Sequence, residues 1–120
     1  MIVCYARERG YGGEGPDPSF TLGKEYIALD VLFLPDARPT LVTVQRDSDA
    51  TAVMLELKFL DIVDPEIPAD WCLVDLGNGR YSMRPKEFCG DFWDRFHDGE
   101  PEAERLFERV VDKLKAFHKI

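Results

Sequence analysis

Trp71-Cys72-Leu73-Val74-Asp75-Leu76-Gly77-Asn78-Gly79-Arg80-Tyr81-Ser82-Met83 is the stretch that decides the fold. Two β-rich runs flank Gly77-Asn78-Gly79, and Asn-Gly accepts the positive φ angles of a tight hairpin turn. The segment therefore reads as an antiparallel hairpin, with Trp71–Leu76 and Arg80–Met83 as its arms. An antiparallel sheet commonly buries one face and wets the other. The rest of the chain must supply further strands and an apolar cover.

The strands lie upstream. In Thr51–Phe59, Val53, Leu55, Leu57 and Phe59 share one face, opposite Met54, Glu56 and Lys58. Such a period of two marks a half-buried strand. Thr40–Arg46 sets Leu41, Thr43 and Gln45 against Val42 and Val44. Lys24–Leu34 is a β-rich run that stops at the turn Pro35-Asp36-Ala37-Arg38-Pro39, and Met1–Arg7 reads as a short first strand. Asp47-Ser48-Asp49 forms a turn, and Asp64–Asp70 a corner with two prolines. Between Gly10 and Ser19, four glycines and two prolines predict a long exposed loop. GYGGEG could cradle a phosphate only with a helix N-terminus or a Walker lysine behind it, and Pro16 and Pro18 follow instead.

The cover lies downstream. Pro85–His97 predicts one or two short helical turns with Phe88, Phe92, Trp93 and Phe96 facing inward. A long helix follows from about Glu100 to Phe117, capped by Asp98 or Gly99, with Pro101 in its first turn. Ala103, Leu106, Phe107, Val110, Val111, Leu114 and Phe117 make one apolar stripe. The fold is thus predicted as α+β. Five or six antiparallel strands form a bent sheet or an open SH3-like barrel, with the C-terminal amphipathic helix packed on it.

Size and charge narrow the classes. The chain has 120 residues, 45% apolar and 32% charged, which predicts one globular domain. It holds 23 acids against 15 bases, a net charge of −8. That disfavours nucleic acid and anionic membranes as partners, because both are gripped by Lys and Arg clusters. The opening MIVCYARERG lacks the apolar core of a secretory signal. Cys4, Cys72 and Cys89 are odd in number, form no CxxC pair, and suggest reduced thiols in the cytosol. Cys4 and Cys72 sit in apolar strands and read as small hydrophobes.

No strong catalytic motif is present. Asp91, Asp94 and Asp98 could share a helical face and do acid–base work, but such pairs need a pocket, and a solvated helix edge accounts for them as well. His97 and Cys89 could form a nucleophilic dyad, yet no oxyanion hole or cysteine signature accompanies them. Zinc lacks soft ligands, and Ser19, Ser48 and Ser82 lack a GxSxG context. The aromatics of the last third have acidic neighbours, so core packing explains them better than a stacking platform for nucleic acid.

The distribution of acids is the remaining signal. Asp61, Asp64, Glu66, Asp70 and Asp75 occur with no base among them. Glu87, Asp91, Asp94, Asp98, Glu100, Glu102 and Glu104 are accompanied by Arg95 alone. These two windows hold more than half of the acids. A field of one sign steers an oppositely charged partner; acids at exposed loops and a helix start are the plain alternative.

Three strings carry a resemblance: Thr21-Leu22-Gly23-Lys24-Glu25-Tyr26, Ile62-Val63-Asp64-Pro65-Glu66-Ile67-Pro68-Ala69-Asp70-Trp71, and Phe92-Trp93-Asp94-Arg95-Phe96-His97-Asp98-Gly99-Glu100-Pro101-Glu102-Ala103. Between Thr21 and Phe107 the chain resembles small bacterial proteins encoded beside polymorphic or contact-dependent toxins, some of which are immunity proteins. The resemblance implies a protein that binds and blocks one cognate toxin, without a cofactor; with the acidic windows, the expectation is a non-enzymatic cytosolic antitoxin against a basic toxin domain such as a nuclease. The partner-binding residues expected from the charge pattern are Asp61, Asp64, Glu66, Asp70, Asp91, Asp94, Asp98, Glu100 and Glu102; Trp71 or Trp93 could anchor the centre, with core packing as the competing role. The competing expectation is a small-barrel interaction module or scaffold subunit of a larger complex.

Overall fold

The structure is a computed structural model that describes residues 1–13 and 15–120; Glu14, inside the glycine-rich stretch, lies outside the described residues. The strands are β1 (Ile2–Tyr5), β2 (Glu25–Ile27), β3 (Asp30–Phe33), β4 (Leu41–Gln45), β5 (Ala52–Glu56), β6 (Leu60–Asp64), β7 (Trp71–Gly77) and β8 (Arg80–Pro85). Two helices follow, α1 (Phe92–His97) and α2 (Pro101–Phe117). Short 3-10 turns occupy Leu57–Phe59 and Lys86–Phe88.

The strands make two antiparallel sheets, ordered β2-β1-β6 and β5-β4-β3-β8-β7. One stretch of chain feeds both. Ala28 donates its amide to Met1 O at 3.0 Å in the first sheet, and the next residue, Leu29, donates to Thr43 O at 2.8 Å in the second. The run from Glu25 to Phe33 therefore bends where it changes sheets, and the two sheets curl around a common interior, as in an open SH3-like barrel. Val3, Tyr5, Tyr26, Val31, Val42, Val44 and Leu55 fill that interior.

Side chains in a strand alternate faces, so Asp30 and Leu32 point away from that interior. The helices cover this second face. Leu29, Ala52, Trp71, Phe88 and Phe92 meet Ala103, Phe107, Val110, Val111 and Leu114 of α2 in a second apolar cluster. The α+β architecture and the hairpin match the sequence reading, and the helical stripe does so from Ala103 to Leu114, whereas Phe117 at its end is exposed. Asn78 and Gly79 take φ of 56° and 77°, the positive values the turn demands.

Five details differ. Among the described residues there are eight strands where five or six are expected. Lys24–Leu34 splits because one bent run serves two sheets, and Leu60–Asp64 is a further strand, pairing with β1. The face read through Leu57 and Phe59 ends at Glu56, where the 3-10 turn breaks the period of two. Asp17, near the end of the Gly10–Ser19 stretch, is buried rather than exposed. It is only 2% exposed, paired with Arg9, and accepts the Ser19 amide at 2.9 Å. The residue that caps α2 is Glu100, and Asp98 closes α1 instead. Cys72 is exposed rather than packed as a small hydrophobe. Among the described residues no helix is long and apolar enough to cross a membrane.

Candidate functional site

The nine carboxylates expected to meet a partner divide into two groups. Asp61 pairs with Arg7 at 2.9 Å, and Asp64 lies 3.2 Å from His118 Nδ1. Asp70 pairs with Lys113 at 3.1 Å. Glu100 and Glu102 both meet Arg95, at 3.1 and 3.5 Å. Four of the expected residues thus hold the protein's own Lys or Arg side chains, and Asp64 meets a histidine. Glu66, Asp91, Asp94 and Asp98 have no ion-pair partner among the described residues, and all four are exposed.

The pairing follows from topology. Lys113 on α2 reaches Asp70 ahead of β7 and Glu87 in the second 3-10 turn, the latter at 2.7 Å. One cation therefore joins the two acidic windows and offsets part of their charge. Both carboxylates raise the Lys113 pKa, Glu87 first and Asp70 second. Arg95 does the same at the start of α2; its pKa is raised by Glu100 foremost, with Asp91 and Glu102 contributing. Of the nine expected acids, the four without an ion pair are thus Glu66 and, on α1 and at its two ends, Asp91, Asp94 and Asp98.

Behind those acids, on the inner side of α1, stands a polar cluster that the sequence reading did not single out. Asp30, 4% exposed, accepts from Ser82 Oγ at 2.6 Å and from Trp93 Nε1 at 3.1 Å. Arg84 Nε lies 3.1 Å from Asp30 Oδ2 and donates to Ser82 Oγ at 2.7 Å. Arg84 Nη1 donates to the Phe88 carbonyl at 3.3 Å. Burial pushes the Asp30 carboxyl above its ordinary range, against the downward pull of Ser82, Arg84 and Trp93. A signal for this cluster was present: Asp30 is the one acid in the apolar run Tyr26–Leu34. A carboxylate buried there needs hydrogen bonds and an opposite charge.

Above the cluster opens a cleft of about 450 Å³ between α1 and the outer face of β3, β4 and β5. Trp93 and His97 stand on the α1 side, their rings stacked with centroids 5.9 Å apart. Trp93 is thus half buried at a cleft wall, whereas Trp71 is fixed in the second core.

The other sequence candidates do not assemble. Cys89 Sγ lies against the Pro85 carbonyl, and His97 turns to Trp93 and Phe96, so the two form no dyad. Burial raises the Cys89 thiol pKa, and the neighbouring Cys72 adds to this, which is the reverse of an activated nucleophile. Among the described residues no group of three or more His, Cys, Asp or Glu side chains is placed to hold a metal ion.

No family model, curated protein or solved structure matches the chain. The arrangement at α1 therefore has to be read on its own chemistry. An exposed run of unpaired carboxylates can bind cations on another macromolecule, and the cleft can take an apolar group.

Proposed function

We propose that this is a non-enzymatic binding protein of the immunity (antitoxin) kind, which neutralises a basic toxin domain in the cytosol. The observation that carries the reading is that Asp91, Asp94 and Asp98 stay exposed and without an ion pair, on one short helix and at its two ends, while four other expected acids pair with internal Lys or Arg and Asp64 with His118. The contact is narrower than the sequence alone suggests: the α1 face binds, and Asp61, Asp64, Asp70, Glu100 and Glu102 serve the fold. Carboxylates spaced along α1 present to a nuclease the kind of charge its Lys and Arg residues hold on phosphates. The resemblance of Phe92–Ala103 to immunity proteins supports the same surface.

The test begins with the tagged full chain in its source cell and identification of what co-purifies. A basic partner encoded in the adjacent reading frame supports the immunity reading; a metabolic or ribosomal partner supports the scaffold alternative. With the partner in hand, reversing charge at Asp91, Asp94 and Asp98 together slows association about tenfold or more at low salt and flattens its salt dependence. Asp61→Asn leaves the rate unchanged. Equal association rates for the triple variant and the parent defeat the proposal.

A further inference from the structure

We infer that the cleft between α1 and the second sheet is a binding site for a small uncharged aromatic molecule that carries a carbonyl oxygen, such as an aromatic amide. The inference is independent of the protein partner proposed above. Its volume of about 450 Å³ falls in the usual range for small-molecule sites, roughly 300–1,000 Å³. Like such sites it has mainly apolar walls and a few convergent polar groups.

The walls come from Leu32 and Met54 on the sheet, Leu76 at the end of β7, and the Trp93 ring on α1. Met54 is 53% exposed, so an apolar face stands open to water. A flat ring entering beside Trp93 and His97 would cover that face and stack as aromatic pairs prefer.

The floor sets the polarity of the ligand. Arg84 lines it, and its Nε and Nη1 are committed to Asp30, Ser82 and Phe88. Its Nη2 has no acceptor among the described residues, and neither it nor the Thr43 hydroxyl is sealed from solvent. Arg84 and Thr43 both line the cleft, and each keeps a donor without a hydrogen-bond partner among the described residues. A carbonyl oxygen answers both, since each can donate to it. A carboxylate does not fit as well. The Arg84 charge is already matched by Asp30, so an anion would be desolvated beside a buried aspartate with no net cation to receive it.

Benzamide, benzoate and toluene separate these terms. Titrated into the full chain, benzamide shifts the Trp93 indole N–H resonance, with half-saturation at about 10 mM or below, as expected for a well-seated fragment of this size. The Trp71 indole, which does not line the cleft, stays in place. Toluene, without the acceptor, binds about tenfold more weakly, and benzoate is weakened at least as much. Met54→Arg, a substitution at an exposed position, lays a long side chain across the mouth and weakens benzamide about tenfold without unfolding the chain. Three outcomes would each overturn the inference: no shift at Trp93 with benzamide, benzoate binding as tightly as benzamide, or a Met54→Arg variant that binds like the parent.

Discussion

Trp93 donates its indole N–H to the Asp30 carboxylate across 3.1 Å, joining α1 to β3 over a separation of 63 residues. α1 is only six residues long and has no side-chain cap at its start, so it cannot hold its position by helix propensity. This bond and the packing of Phe92 against Phe88, with centroids 4.4 Å apart, hold it on the sheet. The acids on its outer surface are presented by a helix that is anchored on its inner surface.

Trp93→Phe keeps the ring and deletes the donor. Asp30 then stays buried with one partner fewer. A hydrogen bond to a charged group is worth about 1.5–3 kcal/mol, and urea unfolding should show a loss in that range with an unchanged m-value. A loss below about 0.5 kcal/mol, the size of an ordinary surface substitution, would mean that the bond does not anchor α1.

Arg84 and Asp30 form a buried pair, with side chains 10% and 6% exposed. Removing one partner strands the other, so Arg84→Met is expected to cost about 3–5 kcal/mol. The double variant Arg84→Met, Asp30→Leu removes both charges and should recover most of that loss. Denaturation midpoints of the parent, both single variants and the double variant close the cycle. If the double variant equals the sum of the singles, the two residues act independently and the pair is not coupled.

Much of this was legible from residues close together in the chain. Asn78-Gly79 specified its hairpin, and the spacing of Ala103, Phe107, Val110, Val111 and Leu114 specified the buried stripe of α2, because both signals are local. The split of Lys24–Leu34 was not legible, because it depends on Ala28 and Leu29 finding partners in different sheets. Internal charge pairing was hidden for the same reason. Lys113 lies 43 residues from Asp70, and Arg7 lies 54 from Asp61. Only the fold brings them together, so counting charges along the chain overstated the free acid. Asp30 was the recoverable miss: a lone carboxylate in an apolar run asks for buried partners, and Ser82, Arg84 and Trp93 supply them.

Gly79 tests the turn. Its φ is 77°, and a Cβ added there would stand 3.1 Å from Pro35 Cβ. Gly79→Ala therefore meets both a strained backbone and a close neighbour in the loop after β3. We expect a loss of at least about 1 kcal/mol and faster amide exchange in β7 and β8. Gly90→Ala is the control: its φ of 69° brings the same kind of strain but no Cβ contact within 4 Å, so it should cost less. Equal losses would assign the whole effect at Gly79 to φ.

Acid should loosen the long first loop. Burial alone would raise the Asp17 pKa, but the Ser19 amide and the Arg9 guanidinium outweigh it and hold it below the ordinary aspartate range. Asp47 is likewise lowered: Lys24, Thr21 and Tyr26 together overcome its burial. A carboxylate whose folded pKa is depressed contributes stability that is present above the unfolded value, about 3.9, and is lost as pH falls through the folded value. Both residues tie residues 17–26 to the barrel, through the Arg9 and Ser19 contacts of Asp17 and the Thr21, Lys24 and Tyr26 contacts of Asp47. Asp30 works in the opposite sense. Its pKa is raised, so its contribution is complete below the unfolded value and declines as pH rises toward the folded one. Stability should therefore fall below about pH 4, and Asp17→Asn should lower stability at pH 7 while flattening that acid limb. Urea midpoints for parent and variant across this range provide the measurement; parallel curves would show that Asp17 gains nothing from its charge.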